Sequence, residues 1–214
     1  MVKEVMSVKI LVVDMGGTIG AEDHELYNQG QAPKNVKCLK ESPILPTLRK
    51  IASDSGTSVD FVYKLIPHGG PGKDSKDVTE DDLRELVSHI RNHQATKILI
   101  PFGTDAMIPN AKKLKDIMQE MQCDISDKTI LFVGAFLPLA RPGSEGIANL
   151  KGALEILQKE EPLGRIGICI GKIAYAANEI VKNPIGNQRF LHIKKAGFGL
   201  EELPGSSVSK ISRL

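Results

Sequence analysis

A strand-like run that ends at two adjacent glycines constrains this chain more than any other feature. Residues 10–13 (Ile-Leu-Val-Val) are apolar and largely β-branched, which is typical of a strand buried on both faces. Gly16 and Gly17 then allow a sharp turn and the close approach of another backbone. Thr18 follows at the carboxyl end of the predicted strand, where open α/β sheets bind their ligands. Taken alone, these residues also fit an ordinary strand-to-helix turn with Thr18 as the helix cap.

Strand-like and helix-like segments alternate along the rest of the chain. Runs of β-branched residues predict further strands, and the spacing of apolar residues predicts helices between them. The predicted strands after the first are residues 59–66, 97–100, 128–133, 165–170 and 190–193, and the predicted helices are residues 43–53, 80–93, 111–121 and 146–159. This alternation predicts an α/β fold, a single-domain open and mostly parallel sheet with helices on both faces in a Rossmann-like three-layer arrangement.

Three segments depart from the alternation. Residues 21–42 are polar and lack periodicity, so we predict a long loop of the kind that forms lids or binding loops. Residues 172–182 are interpreted as helical, with Lys182 late in that helix. Residues 201–214 are interpreted as a tail, which leaves one predicted domain over residues 1–200.

Composition and charge narrow the possible partners and compartment. A net charge of +2 without a basic stripe predicts no nucleic-acid surface. No apolar run is long enough to span a membrane, so no membrane partner is expected. The chain has three scattered cysteines, which argues against a disulfide framework, and its first seven residues are too polar for a signal peptide. We therefore expect a cytoplasmic protein.

The motifs predict neither a cofactor nor a metal. The chain contains no P-loop, and its Gly16-Gly17-x-x-Gly20 run departs from Gly-x-Gly-x-x-Gly, so a dinucleotide-binding domain is a weak alternative. His89 and His93 are four residues apart on a predicted helix, but the sequence around them offers no third ligand.

Polar residues follow each of the first four predicted strands. The loops after parallel strands emerge at one edge of a sheet, so we expect their polar groups to meet at a common rim. These groups are Thr18, Ser75, Thr104 with Asp105, and the backbone of Gly134 and Ala135. Such a rim can bind a small polar molecule, and a threonine with an adjacent base, such as a lysine, can attack one.

Two ordered motifs give the chain a resemblance to a known family. Met-Gly-Gly-Thr-Ile-Gly at residues 15–20 resembles the first signature of the bacterial-type L-asparaginases, and Phe-Gly-Thr-Asp-Ala-Met at residues 102–107 resembles their second, His-Gly-Thr-Asp-Thr-Met. Weaker similarities lie at residues 73–77, 132–138 and 143–150. The resemblance covers roughly residues 8–195, the part that corresponds to the N-terminal domain of that family.

The resemblance implies catalytic roles for five residues. Thr18 is expected to be the nucleophile that attacks a side-chain amide carbon, and Tyr27 to be the lid tyrosine beside it. Thr104 and Asp105 are expected in a second cluster, with Lys182 as the base that activates a hydroxyl group or water. The implied reaction is a two-step displacement that releases ammonia through an acyl-enzyme.

The resemblance also implies a substrate-binding set. Ser75 is expected to hold a substrate α-carboxylate, while Asp105 is expected to pair with the α-ammonium group. The predicted binding residues are Gly17, Ser75, Lys76, Gly103 and Ala135. We also considered the Ala106 N–H as a donor to the oxyanion.

The departures from the family pattern leave two functions open. Phe102 and Ala106 stand where the family has histidine and threonine, and Lys76 stands where it has glutamine or serine. The family's smaller C-terminal domain, which gives an acidic residue to a neighbouring subunit, is expected to be absent. We predict an amidohydrolase acting on L-asparagine or a related small amide, and a homo-oligomer, most simply a dimer. The alternative is a non-catalytic or weakly active amino-acid-binding or regulatory protein on the same scaffold.

Overall fold

The protein is described by a computed structural model over residues 7–29, 31, 33–66, 71–159, 164–177, 180–182 and 190–192, with backbone only at 181–182 and 190–192. The strands are β1 (Val8–Asp14), β2 (Val59–Leu65), β3 (Lys97–Pro101), β4 (Thr129–Val133), β5 (Arg165–Ile170), β6 (Ile173–Ala176), β7 (Ile180–Lys182) and β8 (Phe190–His192). The helices are α1 (Ile44–Asp54), α2 (Glu80–Arg91), α3 (Met107–Glu120) and α4 (Gly146–Lys159).

Six of the strands form one sheet in the order β2-β1-β3-β4-β5-β6. The first five are parallel, and β6 pairs with β5 in the antiparallel direction. Strands β7 and β8 form a separate antiparallel pair. The predicted α/β class and mostly parallel sheet are therefore confirmed.

Side-chain alternation along β1 explains why helices cover both faces of the sheet. Ile10 and Val12 belong to a core cluster with α1 and α4, whereas Leu11 and Val13 belong to a second cluster with α2 and α3. All four side chains are almost completely buried. An unbroken apolar strand is stable only in the middle of such a three-layer arrangement, because both of its faces need a cover.

The strand order places Thr18 at the switch point of the sheet. The chain leaves β1 for β2 on one side and returns to β3 on the other side of β1, so the order reverses between β1 and β3. Doubly wound sheets bind ligands at such a switch point, outside the carboxyl ends of the strands. Thr18 follows β1 and Thr104 follows β3, so the two threonines flank that switch point.

The structure corrects several sequence-based boundaries. The segment interpreted as a helix over residues 172–182 contains β6 and β7 instead, because Gly171 turns the chain back along β5 with a φ of +60°. Helix α3 begins at Met107, four residues earlier than predicted, since Pro109 falls in its first turn, where a missing N–H is tolerated. The predicted tail lies outside the described residues. No helix of the described part is long and apolar enough to cross a membrane.

Candidate active site

Two backbone turns touch at the centre of the rim. Gly17 has φ +83° and ψ 179°, a conformation that is essentially restricted to glycine. A Cβ atom at Gly17 would lie 2.2 Å from the Gly103 nitrogen, so the turns after β1 and β3 meet without room for a side chain. A Cβ atom at Gly103 would in turn lie 2.6 Å from the Oγ atom of Ser75. These glycines bring Thr18, Ser75 and Thr104 to one place.

The buried carboxylate of Asp14 stabilises the turn after β1. Asp14 is 1% exposed, and its Oδ1 accepts a hydrogen bond of 2.8 Å from the Gly16 N–H. Its Oδ2 accepts hydrogen bonds from Ser42 Oγ at 2.5 Å and from the Tyr63 hydroxyl at 2.7 Å. Burial raises the pKa of Asp14, and the three hydrogen bonds oppose that rise. Sequence reasoning missed Asp14 because Ser42 and Tyr63 are distant in the chain.

The raised pKa of Asp14 predicts a pH-dependent stability difference. The raised pKa makes the native state bind protons more readily than the unfolded state. This contribution to stability is therefore present below the ordinary pKa of an aspartate side chain, about 3.9, and is lost as pH rises through the raised pKa. Because Asp14→Asn cannot titrate, we expect its stability relative to the native protein to increase between pH 4 and pH 7, as measured by urea unfolding.

Asp124→Asn is the control with the opposite expected sign. Hydrogen bonds from Ser126 lower the pKa of Asp124, so its contribution to stability is present above the ordinary pKa of an aspartate side chain and is lost as pH falls through the lowered pKa. The stability of this variant relative to the native protein should therefore decrease from pH 4 to pH 7. Equal slopes for the two variants would contradict the assignment for Asp14.

Thr18 and Tyr27 place two hydroxyl groups together at the rim. Both residues are buried, with exposed fractions of 8% and 7%. The Tyr27 hydroxyl has no hydrogen-bond partner of normal geometry among the described residues. Burial raises the pKa of Tyr27, while the neighbouring Thr18 hydroxyl lowers it, so the two groups are close without a well-formed hydrogen bond. A buried, unpaired phenol is costly to maintain unless a ligand completes its hydrogen bonding.

Arg141 contacts and stabilises the segment that carries Tyr27. Its guanidinium group donates to Asp23 Oδ1 at 2.6 Å, to the His24 carbonyl oxygen at 3.3 Å and to Asn28 Oδ1. The guanidinium carbon also lies 5.8 Å from the centroid of the Tyr27 ring. Only 13% of the Arg141 side chain is exposed, so these contacts are partly shielded from water. The loop between β4 and α4 therefore fixes the predicted lid, a role that the sequence did not indicate.

Removal of the Arg141 contacts should reduce the local stability of residues 21–29 without unfolding the sheet. Charge-assisted contacts of this kind are stronger than neutral hydrogen bonds, and we expect Arg141→Gln to increase amide hydrogen exchange in that segment by roughly tenfold. Arg84→Gln is the matched control, because Arg84 binds Glu80 and Glu120 on the surface of α2 and α3. Unchanged exchange of residues 21–29 in Arg141→Gln would show that other contacts hold the lid.

Ser75 and Thr104 are two further buried residues with hydroxyl groups close to Gly103. Ser75 is 2% exposed, and its Oγ accepts a 3.2 Å hydrogen bond from the Ala106 N–H. The Ala106 N–H is thus already engaged, so the oxyanion role considered for it has to fall to another donor. A serine hydroxyl group that accepts a hydrogen bond can still donate its own hydrogen to another group. Thr104 is also buried, and its Cγ2 lies close to Gly134.

The charged groups of the rim form a small network. Lys76 Nζ lies 3.2 Å from Asp105 Oδ2 and 3.8 Å from Asp74 Oδ2. Half of the Lys76 side chain and 39% of the Asp105 side chain are exposed, whereas Asp74 is 8% exposed. Lys76, one of the predicted binding residues, thus reaches back to the acidic residue beside Thr104 while half of its side chain stays exposed.

An asparagine connects the ends of β4 and β5. Asn149 Nδ2 donates to the Gly134 carbonyl oxygen at 2.8 Å, and the Gly171 N–H donates to Asn149 Oδ1 at 2.8 Å. A cavity of about 340 Å³ lies beside this bridge, mostly apolar and bounded on one side by Thr104. Its volume is at the lower end of the range for small-molecule pockets. The Asn149 bridge was not predicted, because both of its partners are backbone groups.

The remaining predicted site residues to be placed are Ala135 and Lys182. Ala135 is buried in the core with α4, where a Cβ atom at Gly146 would be 3.2 Å from its Cβ, so only its backbone is available to a ligand. Lys182 lies in β7 opposite Phe190, and the structure describes only its backbone. The role of Lys182 stays a prediction. Within the described ranges, no three His, Cys, Asp or Glu side chains form a group that could hold a metal ion.

Comparison with known proteins identifies relatives of the same architecture. The family model described as Asparaginase, N-terminal matches residues 9–191. The L-asparaginase I of Vibrio cholerae superposes with a TM-score of 0.63 at 19% identity, over 90% of this chain and 53% of its own. The L-asparaginase of Thermococcus kodakarensis superposes with a TM-score of 0.61 at 21% identity, over 89% of this chain and 52% of its own. This chain thus spans about half the length of these structures. No curated protein matches it by sequence.

Proposed function

Because this chain belongs to the asparaginase N-terminal family, we propose that it is an asparaginase-like amidohydrolase. It hydrolyses the side-chain amide of L-asparagine, or of a related small amide, to the acid and ammonia. The observation that carries this proposal is the buried pair of hydroxyl groups from Thr18 and Tyr27 at the switch point of the sheet. A homo-oligomeric assembly, which the resemblance implies, stays a prediction.

Thr18 is the proposed nucleophile. Its Oγ attacks the amide carbon, the carbon–nitrogen bond breaks, and the nitrogen leaves as ammonia after taking up a proton. Water then attacks the resulting ester on Thr18, which restores the hydroxyl group and releases the acid. The position of Thr18 directly after the constrained Gly17, with the buried Tyr27 hydroxyl group nearby, supports this assignment, because a nucleophile on a fixed turn is held in place for attack.

Proton transfer requires a group besides Tyr27. Because burial raises the pKa of Tyr27, its phenol is protonated at neutral pH and acts as a hydrogen-bond donor or relay, not as the primary base. Lys182 is the proposed base, by resemblance to the family, with Thr104 as the connecting hydroxyl group.

A non-catalytic binding protein on the same scaffold is the second candidate. The observation that favours it is the Lys76–Asp105 pair, because it engages the carboxylate that the resemblance assigns to a substrate ammonium group. A protein of this kind binds a small acid or amide at the rim and does not release ammonia.

Ammonia release and calorimetry on the same preparation distinguish the two functions. The amidohydrolase predicts ammonia from the native protein with L-asparagine or a related carboxamide acid, and loss of release in Lys182→Met. The binding protein predicts heat of binding without ammonia. Native protein that is folded by circular dichroism but neither binds nor hydrolyses these amides would contradict both candidates.

A further inference from the structure

A lysine–aspartate pair lies at the edge of the hydroxyl cluster and is not explained by the proposed reaction. Lys76 follows Ser75 in the chain, and Asp105 follows Thr104. The ion pair between them, 3.2 Å from Nζ to Oδ2, therefore lies one residue from two of the hydroxyl groups that line the rim. Any ligand that reaches these hydroxyl groups approaches this pair as well.

The backbone places Lys76 next to Asp105. The Lys76 N–H donates to Asp74 Oδ1 at 3.2 Å, and the Asp77 N–H donates to the Asp74 carbonyl oxygen at 2.9 Å, which together fix the turn over residues 75–77. The hydrogen bond from the Ala106 N–H to Ser75 Oγ joins this turn to the loop of Asp105. The two loops are thus tied together beside the ion pair, so the Lys76 side chain reaches Asp105 from a fixed starting point.

The ion pair between Lys76 and Asp105 affects which charged ligand groups can bind at the rim. Asp105 is the more accessible of the two carboxylates, since Asp74 is nearly buried and accepts a hydrogen bond from its own turn. The ammonium group of Lys76 already neutralises Asp105. A ligand ammonium group would have to displace Lys76 or lie beside a like charge, which is unfavourable. A ligand carboxylate gains little from Lys76, whose ammonium group already faces both Asp105 and Asp74, but it can accept a hydrogen bond from the Ser75 hydroxyl group.

We propose that Lys76 determines specificity and selects small carboxamide acids that lack an α-ammonium group over L-asparagine. The inference rests on the proposed function, because it places the ligand at the same hydroxyl cluster. Succinamic acid, which is L-asparagine without its amine, is the simplest member of the proposed substrate class. Succinate and L-aspartate are the corresponding products and differ from each other only by that amine.

Binding of the two products tests the inference without relying on turnover. We expect calorimetry to show that the native protein binds succinate at least about tenfold more tightly than L-aspartate. Lys76→Gln keeps a side chain of similar length that can still contact Asp105, but it removes the positive charge. In this variant the ratio of the two affinities should shift toward L-aspartate by about tenfold or more.

Lys113→Gln is the matched control. Lys113 is a half-exposed lysine paired with Glu80 at 2.8 Å, far from the hydroxyl cluster on α3, so its removal should leave the affinity ratio unchanged. A native preference for L-aspartate, an unchanged ratio in Lys76→Gln, or a failure of both acids to bind would each overturn the inference. Ammonia release from succinamic acid and from L-asparagine is measured in parallel. A shifted affinity ratio without ammonia from either amide would support the binding preference while contradicting the proposed hydrolysis.

Discussion

Gly17→Ala should destabilise the protein by about 2 to 6 kcal/mol, a large part of the stability of an ordinary domain. Two costs add at this position. The backbone at φ +83° and ψ 179° is strained for any residue with a Cβ atom. The new methyl group would also lie 2.2 Å from the Gly103 nitrogen, which forces the turns after β1 and β3 apart. Urea unfolding followed by circular dichroism measures the loss.

Gly143→Ala separates the two costs. Gly143 has the same φ of +83°, but a Cβ atom there would meet nothing within 4 Å. This variant should lose only about 1 to 2 kcal/mol, the cost of left-handed backbone for a residue with a side chain. If both variants unfold at the same urea concentration, the close contact between Gly17 and Gly103 does not contribute to stability, and the geometry of the rim would need revision.

The sheet could be predicted from the sequence because its strands are signalled locally. Strand β5 and helix α4 have the predicted bounds, since an apolar run and a regular apolar spacing define each of them. Helix α2 begins after Thr79 as expected, where Thr79 and Asp82 form a reciprocal capping box. The position of Thr18 and Thr104 at one rim followed from the parallel sheet alone, without knowledge of any side-chain contact.

The residues that hold the rim in place could not be predicted, because their partners are distant in sequence. Arg141 binds a segment more than one hundred residues earlier, which no periodicity or motif indicates. Asp14 directly follows the predicted apolar strand and was given no role, although its carboxylate accepts hydrogen bonds from the Gly16 N–H and from two hydroxyl groups that are remote in sequence. Charge pairs on loops, such as Lys76 with Asp105, depend on how two turns meet in space. Local sequence therefore predicts the helices and strands, whereas the side-chain contacts of the rim depend on the tertiary structure.

Thr18→Val should abolish ammonia release, with a loss of at least about 1,000-fold if Thr18 is the nucleophile. Valine has nearly the shape of threonine and lacks only the hydroxyl group, so it fits the buried site beside Tyr27. We expect the fold and the binding of the product acid to be retained, because neither depends on the attacking oxygen. Ammonia release and calorimetry on the same preparation measure both properties.

Two further variants, Thr18→Ser and Thr47→Val, test whether the loss of activity is due to the Thr18 hydroxyl oxygen. Serine restores a hydroxyl group at the same position, so part of the activity should return. Thr47 donates its hydroxyl group to the Pro43 carbonyl oxygen at 2.7 Å on α1, away from the rim, and its replacement by valine should leave ammonia release unchanged. Full activity in Thr18→Val would remove Thr18 from the reaction and direct attention to Thr104, the other buried threonine hydroxyl of the rim. Activity that is lost in Thr18→Val and partly restored by serine would establish that the turn after β1 supplies the nucleophile.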